Sequence, residues 1–204
     1  MIYIYGAGGH AKVVAEILEL RGLAIAGFID VNSKTDTLLG YPVYDESLSL
    51  IGSSPQLIIG VGSNIIRKRI SESLTGTFIS AIHPSANIST RSQIETGTAV
   101  MPGASINSDV IVGRHCIINT NCSIDHDCVL GAYVHVSPGV ALAGNVTVGN
   151  GVHIGIGSSI IQGIKIGKWA TIGAGAVIIK DVPDYAVVVG NPGKIIKYNK
   201  IDEQ

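Results

Sequence analysis

An aliphatic residue stands at every sixth position from Ile82, through Ile88, Ile94, Val100 and Ile106, to Ile166, Ile172 and Ile178, with no gap and no change of phase. A second phase runs four residues behind it and holds small or branched residues: Ala86, Ser92, Thr98 and Ala104 at the start, Ala170, Ala176 and Val182 at the end. A period of six fits neither an amphipathic helix nor a simple alternating strand. It fits short strands that meet at regular corners, with both phases turned inward. Three strands close a triangular coil of about 18 residues, and coils stack about 4.8 Å apart, each burying its interior only against its neighbours. The repeat therefore predicts a left-handed parallel β-helix over residues 79–182.

Composition agrees with a thin solenoid. Charged residues make up 14 % of the chain, against roughly 25 % in ordinary globular proteins. Aromatic residues are only 5 %, whereas glycines number 26. A net charge of −1 argues against nucleic-acid binding and against a polybasic membrane patch. The chain has no apolar run of about 18 residues, and Met1 leads straight into Ile2-Tyr3-Ile4-Tyr5 without a charged leader. Both features predict no membrane span, no secretory signal and a cytoplasmic location. Cys116, Cys122 and Cys128 all fall on the small inward phase. Metal or nucleophile chemistry is one reading of them; small core residues is the better one, and disulfides do not suit a cytoplasmic chain.

Residues 1–78 have a different grammar. Strand-like Ile2-Tyr3-Ile4-Tyr5 is followed by the turn Gly6-Ala7-Gly8-Gly9-His10 and by helical spacing at Val13, Val14, Ile17, Leu18 and Leu20. Further strands are expected over 24–29, ending at Asp30, and over 57–61, running into Gly62-Ser63. A second helix is expected over 65–74. Alternating strands and helices predict a small Rossmann-like parallel α/β domain. Gly6, Gly8 and Ala11, with Asp30 closing the second strand, match the dinucleotide fingerprint, in which backbone N–H groups at a helix N-terminus hold phosphate. So short a unit has room for about half of a full dinucleotide fold, which favours a nucleotide-diphosphate group over NAD. His10 either donates to a pyrophosphate or only starts the helix. Residues 183–204 are expected to cap the β-helix, with Lys180, Lys194 and Lys197 near coenzyme phosphates or at a solvated surface.

Coil arithmetic sorts the histidines. His135 and His153 differ by one coil and share a face. His126 and Gly144 are also one coil apart, placing an imidazole beside a residue that leaves space. Asp125 and Asp127 flank His126, and a carboxylate there would raise its pKa and fix its tautomer for general-base work. Either aspartate fits the spacing. His83 and His115 read as ordinary structural histidines.

Taken together, Gly6-Ala7-Gly8-Gly9-His10, the unbroken hexapeptide array, Asp125-His126-Asp127-Cys128 and Val189-Gly190-Asn191-Pro192-Gly193-Lys194 make the chain resemble one family across nearly its whole length. It is similar to the acetyl-CoA-dependent acetyltransferases that modify nucleotide-linked 4-amino-4,6-dideoxy sugars. The resemblance implies His126 as general base for the sugar's 4-amino group, with Asp127 as its acidic neighbour where relatives carry Glu. It implies contacts to acetyl-CoA from His135, the Gly144 amide, Ile156 and Ala174. It implies sugar-nucleotide contacts from Gly8, Gly9, His10, Asp30 and Gly62. Val31 departs from the family's second acidic residue, which bears on the base recognised. The resemblance further implies a homotrimer with active sites between subunits and no metal. Three other functions fit parts of the chain: O-acetyl transfer to sialic acid or another sugar hydroxyl, a zinc carbonic anhydrase on the same β-helix, and a non-catalytic nucleotide-sugar module.

Overall fold

The fold is taken from a computed structural model describing residues 1–45 and 55–200. The N-terminal domain is a parallel sheet built from β1 (Ile2–Tyr5), β2 (Ile25–Ile29), β3 (Thr37–Leu38), β4 (Tyr41–Tyr44), β5 (Gln56–Ile59) and β6 (Thr77–Phe78), in the order β3-β4-β2-β1-β5-β6. Only β3 runs antiparallel, in a hairpin with β4 that the sequence reading did not anticipate. Helix α1 (Gly9–Leu20) follows β1, and α2 (Asn64–Ser73) follows β5. Strand β5 stops at Ile59, two residues before its expected end, and Gly60 beyond it packs on α1, where a Cβ would lie 2.7 Å from that of Ala11.

The repeat forms the expected triangular β-helix. Two-residue strands pair in parallel with the strand 18 residues on, as in Val100↔Ile118 and Ile118↔Val136. Face 1 runs from Ala81–Ile82 through His135–Val136 to Thr171–Ile172. Face 2 runs from Asn87–Ile88 through Ser123–Ile124 to Val177–Ile178, and face 3 from Gln93–Ile94 through Val129–Leu130 to Lys165–Ile166. Both inward phases fill one continuous apolar core, Cys116, Cys122 and Cys128 among them. Burial pushes the Cys116 and Cys122 thiols up to about 12, so they are inert at neutral pH. Where the inward residue is polar it is satisfied: Thr98 Oγ1 donates to Gly113 O and accepts from Cys116 N–H, and Ser158 Oγ lies within donor range of the Gly155 and Gly173 carbonyls.

The corners obey a rule of their own. From Gly97 to Gly175 every sixth residue has positive φ, including Asp109, His115, Asn121, Asp127, Tyr133, Asn145 and Trp169. Strand amides donate to the following coil, as Asp125 N–H does to Leu142 O, whereas the positive-φ amide donates to the preceding one, as Asp127 N–H does to Ser108 O. Each corner thus stitches a coil to both neighbours. For a side chain this conformation costs roughly 1–2 kcal/mol, which is why Gly, Asn and Asp dominate the series.

The corner between faces 3 and 1 is the exception. Gly97, His115, Tyr133, Gly151 and Trp169 stack there in one column. The His115 ring lies 5.6 Å from that of Tyr133 and parallel to it, and a Cβ on Gly151 would come within 2.3 Å of the Trp169 ring. The N-terminal domain docks beside this column. Val14, Leu18 and Ile4 share a core with Ala81, Ala99, Met101 and Ile117 of the β-helix, so α1 lies between its own sheet and face 1. At the far end a hairpin of Ala186–Val189 and Lys194–Tyr198 extends face 1 past Thr171–Ile172. Among the described residues no helix is long and apolar enough to cross a membrane.

Gly151→Ala combines backbone strain with a clash against Trp169. It is expected to destabilise the fold by roughly 2–4 kcal/mol, read as a lower thermal midpoint.

Candidate active site

His126 sits on the corner between faces 2 and 3, its side chain 60 % exposed. Asp127, next in sequence, is that corner's positive-φ residue (φ 59°). This backbone turn swings the short carboxylate back onto the ring, and Nδ1 lies 2.7 Å from Asp127 Oδ2. Asp125 is engaged elsewhere: its Oδ1 accepts from Asn107 Nδ2 at 2.8 Å and from the His126 backbone N–H at 2.8 Å. Of the two flanking carboxylates, Asp127 therefore partners the imidazole. That hydrogen bond, followed by the charge of Asp125, raises the His126 pKa above its usual value. An ionised carboxylate only accepts, so Nδ1 carries the proton and Nε2 keeps its lone pair.

Gly144 lies one coil on and directly against the ring. A Cβ there would stand 2.6 Å from His126 Cε1 and 2.7 Å from Nε2. Its backbone does not have positive φ, so the imidazole, not the turn, demands glycine. The ladder uses the amides on either side, Ala143 N–H to Ile160 O and Asn145 N–H to His126 O. Among the described residues the Gly144 N–H makes no hydrogen bond, which leaves a donor beside the His126 ring.

A second cluster lies where the two domains meet. Gly8 has ordinary backbone angles (φ −89°) and gives α1 no side-chain cap. At Gly8, Gly9 and Gly62 an added Cβ would meet nothing within 4 Å. Neither strain nor packing requires glycine at these three positions. His10, on the first turn of α1, is largely buried with Nε2 unpartnered; burial, helped by the charge of Arg67, lowers its pKa to about 4. Asp30 is a brace for the turn: Oδ2 accepts from Ala7 N–H at 2.9 Å and Oδ1 from Asn32 N–H at 3.0 Å.

His135 projects from face 1 toward this junction, 4.8 Å from the His153 ring. Asn119, absent from the sequence reading, orients it. The Thr120 N–H donates to Asn119 Oδ1 at 2.8 Å, so Asn119 presents its Nδ2 donor to His135 Nε2 at 3.1 Å. The His135 proton is thereby placed on Nδ1, which is buried without a partner. Burial first, then His153, Arg67 and His10, lower the His135 pKa to about 3. The Gly62 carbonyl opposes this shift, although its geometry falls short of a hydrogen bond. Ile156, 57 % exposed, and Ala174 lie one above the other on the corner between faces 1 and 2. Within one chain the expected site residues thus fall into three groups: the His126 corner, the Ile156 corner and the domain junction. Among the described residues no group of three His, Cys, Asp or Glu side chains converges as metal ligands.

Residues 1–74 match the PglD N-terminal domain, and residues 145–180 match the bacterial transferase hexapeptide (six repeats). A curated relative, UDP-N-acetylbacillosamine N-acetyltransferase of Bacillus subtilis, is 38 % identical over 109 residues, covering 49 % of this chain and 50 % of that protein; the chain spans about half the length of this relative. Perosamine N-acetyltransferase from Caulobacter crescentus, solved as a histidine variant with CoA and GDP-perosamine, is 38 % identical, covers 96 % of both chains and superposes with a TM-score of 0.91. The acetyltransferase domain of PglB from Neisseria gonorrhoeae, solved with acetyl coenzyme A, is 37 % identical over 96 % of this chain and 98 % of that one, with a TM-score of 0.90.

The two kinds of histidine are separable by NMR titration. His126 is expected to titrate above 6.5 and to fall toward it in Asp127→Asn, whereas His10 and His135 stay neutral down to about 4 and about 3.

Proposed function

The chain belongs to the family of hexapeptide-repeat sugar N-acetyltransferases typified by the perosamine enzyme, and on that premise we propose that it moves an acetyl group from acetyl-CoA to the 4-amino group of a nucleotide-linked 4-amino-4,6-dideoxy sugar. The observation that carries this reading is the His126–Asp127 dyad at 2.7 Å set beside Gly144, whose N–H the backbone ladder leaves unused. The neutral amine attacks the thioester carbonyl while His126 Nε2 takes its proton. The Gly144 N–H donates to the oxyanion as it forms. Collapse of the intermediate expels the coenzyme thiolate, which recovers the proton from His126, leaving amide and free thiol. Asp127 keeps the imidazole in the productive tautomer and stabilises the imidazolium.

In this reading, residues 1–78 bind the nucleotide sugar, 79–182 carry transfer and 183–204 form the cap. Gly8, Gly9 and Gly62 leave the backbone open to diphosphate, and the uncapped first turn of α1 supplies N–H donors. His10 adds a neutral donor, and Asp30 holds the turn in shape. Ile156 and Ala174 line the pantetheine path and His135 meets its reactive end. Because His126 and Ile156 occupy different corners on different coils of the β-helix, a complete site needs two subunits. A cyclic trimer, in which each chain offers its His126 corner to the next chain's face 1, meets that need. Acetyl-CoA as cosubstrate fits a cytoplasmic enzyme.

His126→Ala is expected to lower kcat by about 10²–10⁴ in an assay of free coenzyme thiol, with assembly unchanged; near-normal turnover would eliminate the assignment. A base must be unprotonated to act, so activity falls as pH drops through the raised His126 pKa. Asp127→Asn is expected to move that acid limb to lower pH and to reduce the plateau. Shared sites are tested by mixing: trimers combining His126→Ala with Gly8→Trp should regain activity that neither variant has alone.

A further inference from the structure

Arg67 is 1 % exposed, and among the described residues it faces no carboxylate. All five of its N–H donors are nonetheless used. Nε donates to His115 O at 2.7 Å, Nη1 to Val61 O and Gly62 O at 3.1 Å each, and Nη2 to Asn64 Oδ1 at 2.9 Å and Tyr133 O at 3.0 Å. Asn64, three residues earlier on α2, donates from Nδ2 to Gly151 O and Val152 O at 3.1 Å each. His115, Tyr133 and Gly151 are the positive-φ corner residues of three successive coils, and their carbonyls take no part in the backbone ladder. Arg67 and Asn64 thus grip one column of free corner carbonyls and, with the same guanidinium, the carbonyls of the turn ending in Gly62.

We propose that Arg67 is a positioning residue: it fixes the height of the Val61–Gly62 turn along the β-helix, and so where a bound nucleotide sugar stands relative to His135 and the transfer site. This rests on the nucleotide-sugar reading of that turn. A guanidinium is essential to the arrangement, because it meets five acceptors with five donors, whereas an ammonium group has three donors on a point. The Gly62–Asn64 segment also forms one wall of a cleft of about 370 Å³ whose other side is His153, Trp169 and Thr171. A shift of the turn changes that cleft as well as the phosphate cradle, while the His126 corner and the Ile156 corner lie away from it.

The test is Arg67→Lys, with Asn64→Ala as a milder second variant, each first confirmed by circular dichroism and sedimentation to keep fold and assembly. Both should raise KM for the nucleotide sugar, Arg67→Lys by at least about tenfold, with KM for acetyl-CoA within about twofold of wild type. Equal loss toward both substrates, or no change in either variant, would overturn the proposal. If Arg67→Lys does not fold, Asn64→Ala decides alone. Thermal shift with a nucleoside diphosphate separates this inference from the catalytic one. Wild type stabilised and Asn64→Ala not stabilised supports the positioning role even if no amino sugar is turned over; equal stabilisation refutes it.

Discussion

The whole architecture hangs on a corner that reverses the direction of one amide in every six. With positive φ at that residue, its N–H returns to the preceding coil while the strand amides go forward. Two consequences reach the chemistry. The residue at the corner after His126 must tolerate a conformation that β-branched and long side chains resist, and Asp is among the few non-glycine residues that do. The same geometry that makes Asp127 acceptable to the fold folds its carboxylate onto the imidazole. The corner also turns its own carbonyl outward, unused. Along one edge those carbonyls form the column that Arg67 and Asn64 grip, and the N-terminal domain is joined to the β-helix through a by-product of the rule that builds it.

Much of this was legible in the sequence because period six leaves little freedom. The inward phases, the interior cysteines, the pairing of His126 with Gly144 and the small α/β domain all follow from spacing. The choice between Asp125 and Asp127 did not, because each is adjacent to His126 and only backbone angles and the competing Asn107 decide it. Asn119 and Arg67 were missed for a related reason. Each is a single polar residue whose telling partners lie far along the chain, His135 for Asn119 at 16 residues and His115 and Tyr133 for Arg67 at 48 and 66, contacts that no local period encodes. A faint signal existed in Asn64 and Arg67, three apart on a helix that follows a glycine turn, since that spacing puts both on one side. The β3–β4 hairpin was missed because β3 is only two residues long and Pro42 interrupts the apolar run of β4.

The site divides its histidines by solvation. His126 is exposed, paired with a carboxylate and easily charged. His10, His135 and His153 are buried in an interdomain seam that already holds the guanidinium of Arg67, and burial with that nearby charge keeps all three neutral. Neutral rings can offer N–H donors to a ligand without repelling Arg67. The sign of the consequence is fixed. Their pKa values are lower in the folded chain than unfolded, so below about pH 6.5 the unfolded chain binds protons that the folded one refuses. The seam therefore weakens as pH falls from there toward about 4. Acid acts on both environments, protonating the exposed His126 and loosening the junction between the two domains. The buried guanidinium of Arg67 links them, because the cation that grips the Val61 and Gly62 carbonyls is also one of the charges holding the neighbouring rings neutral.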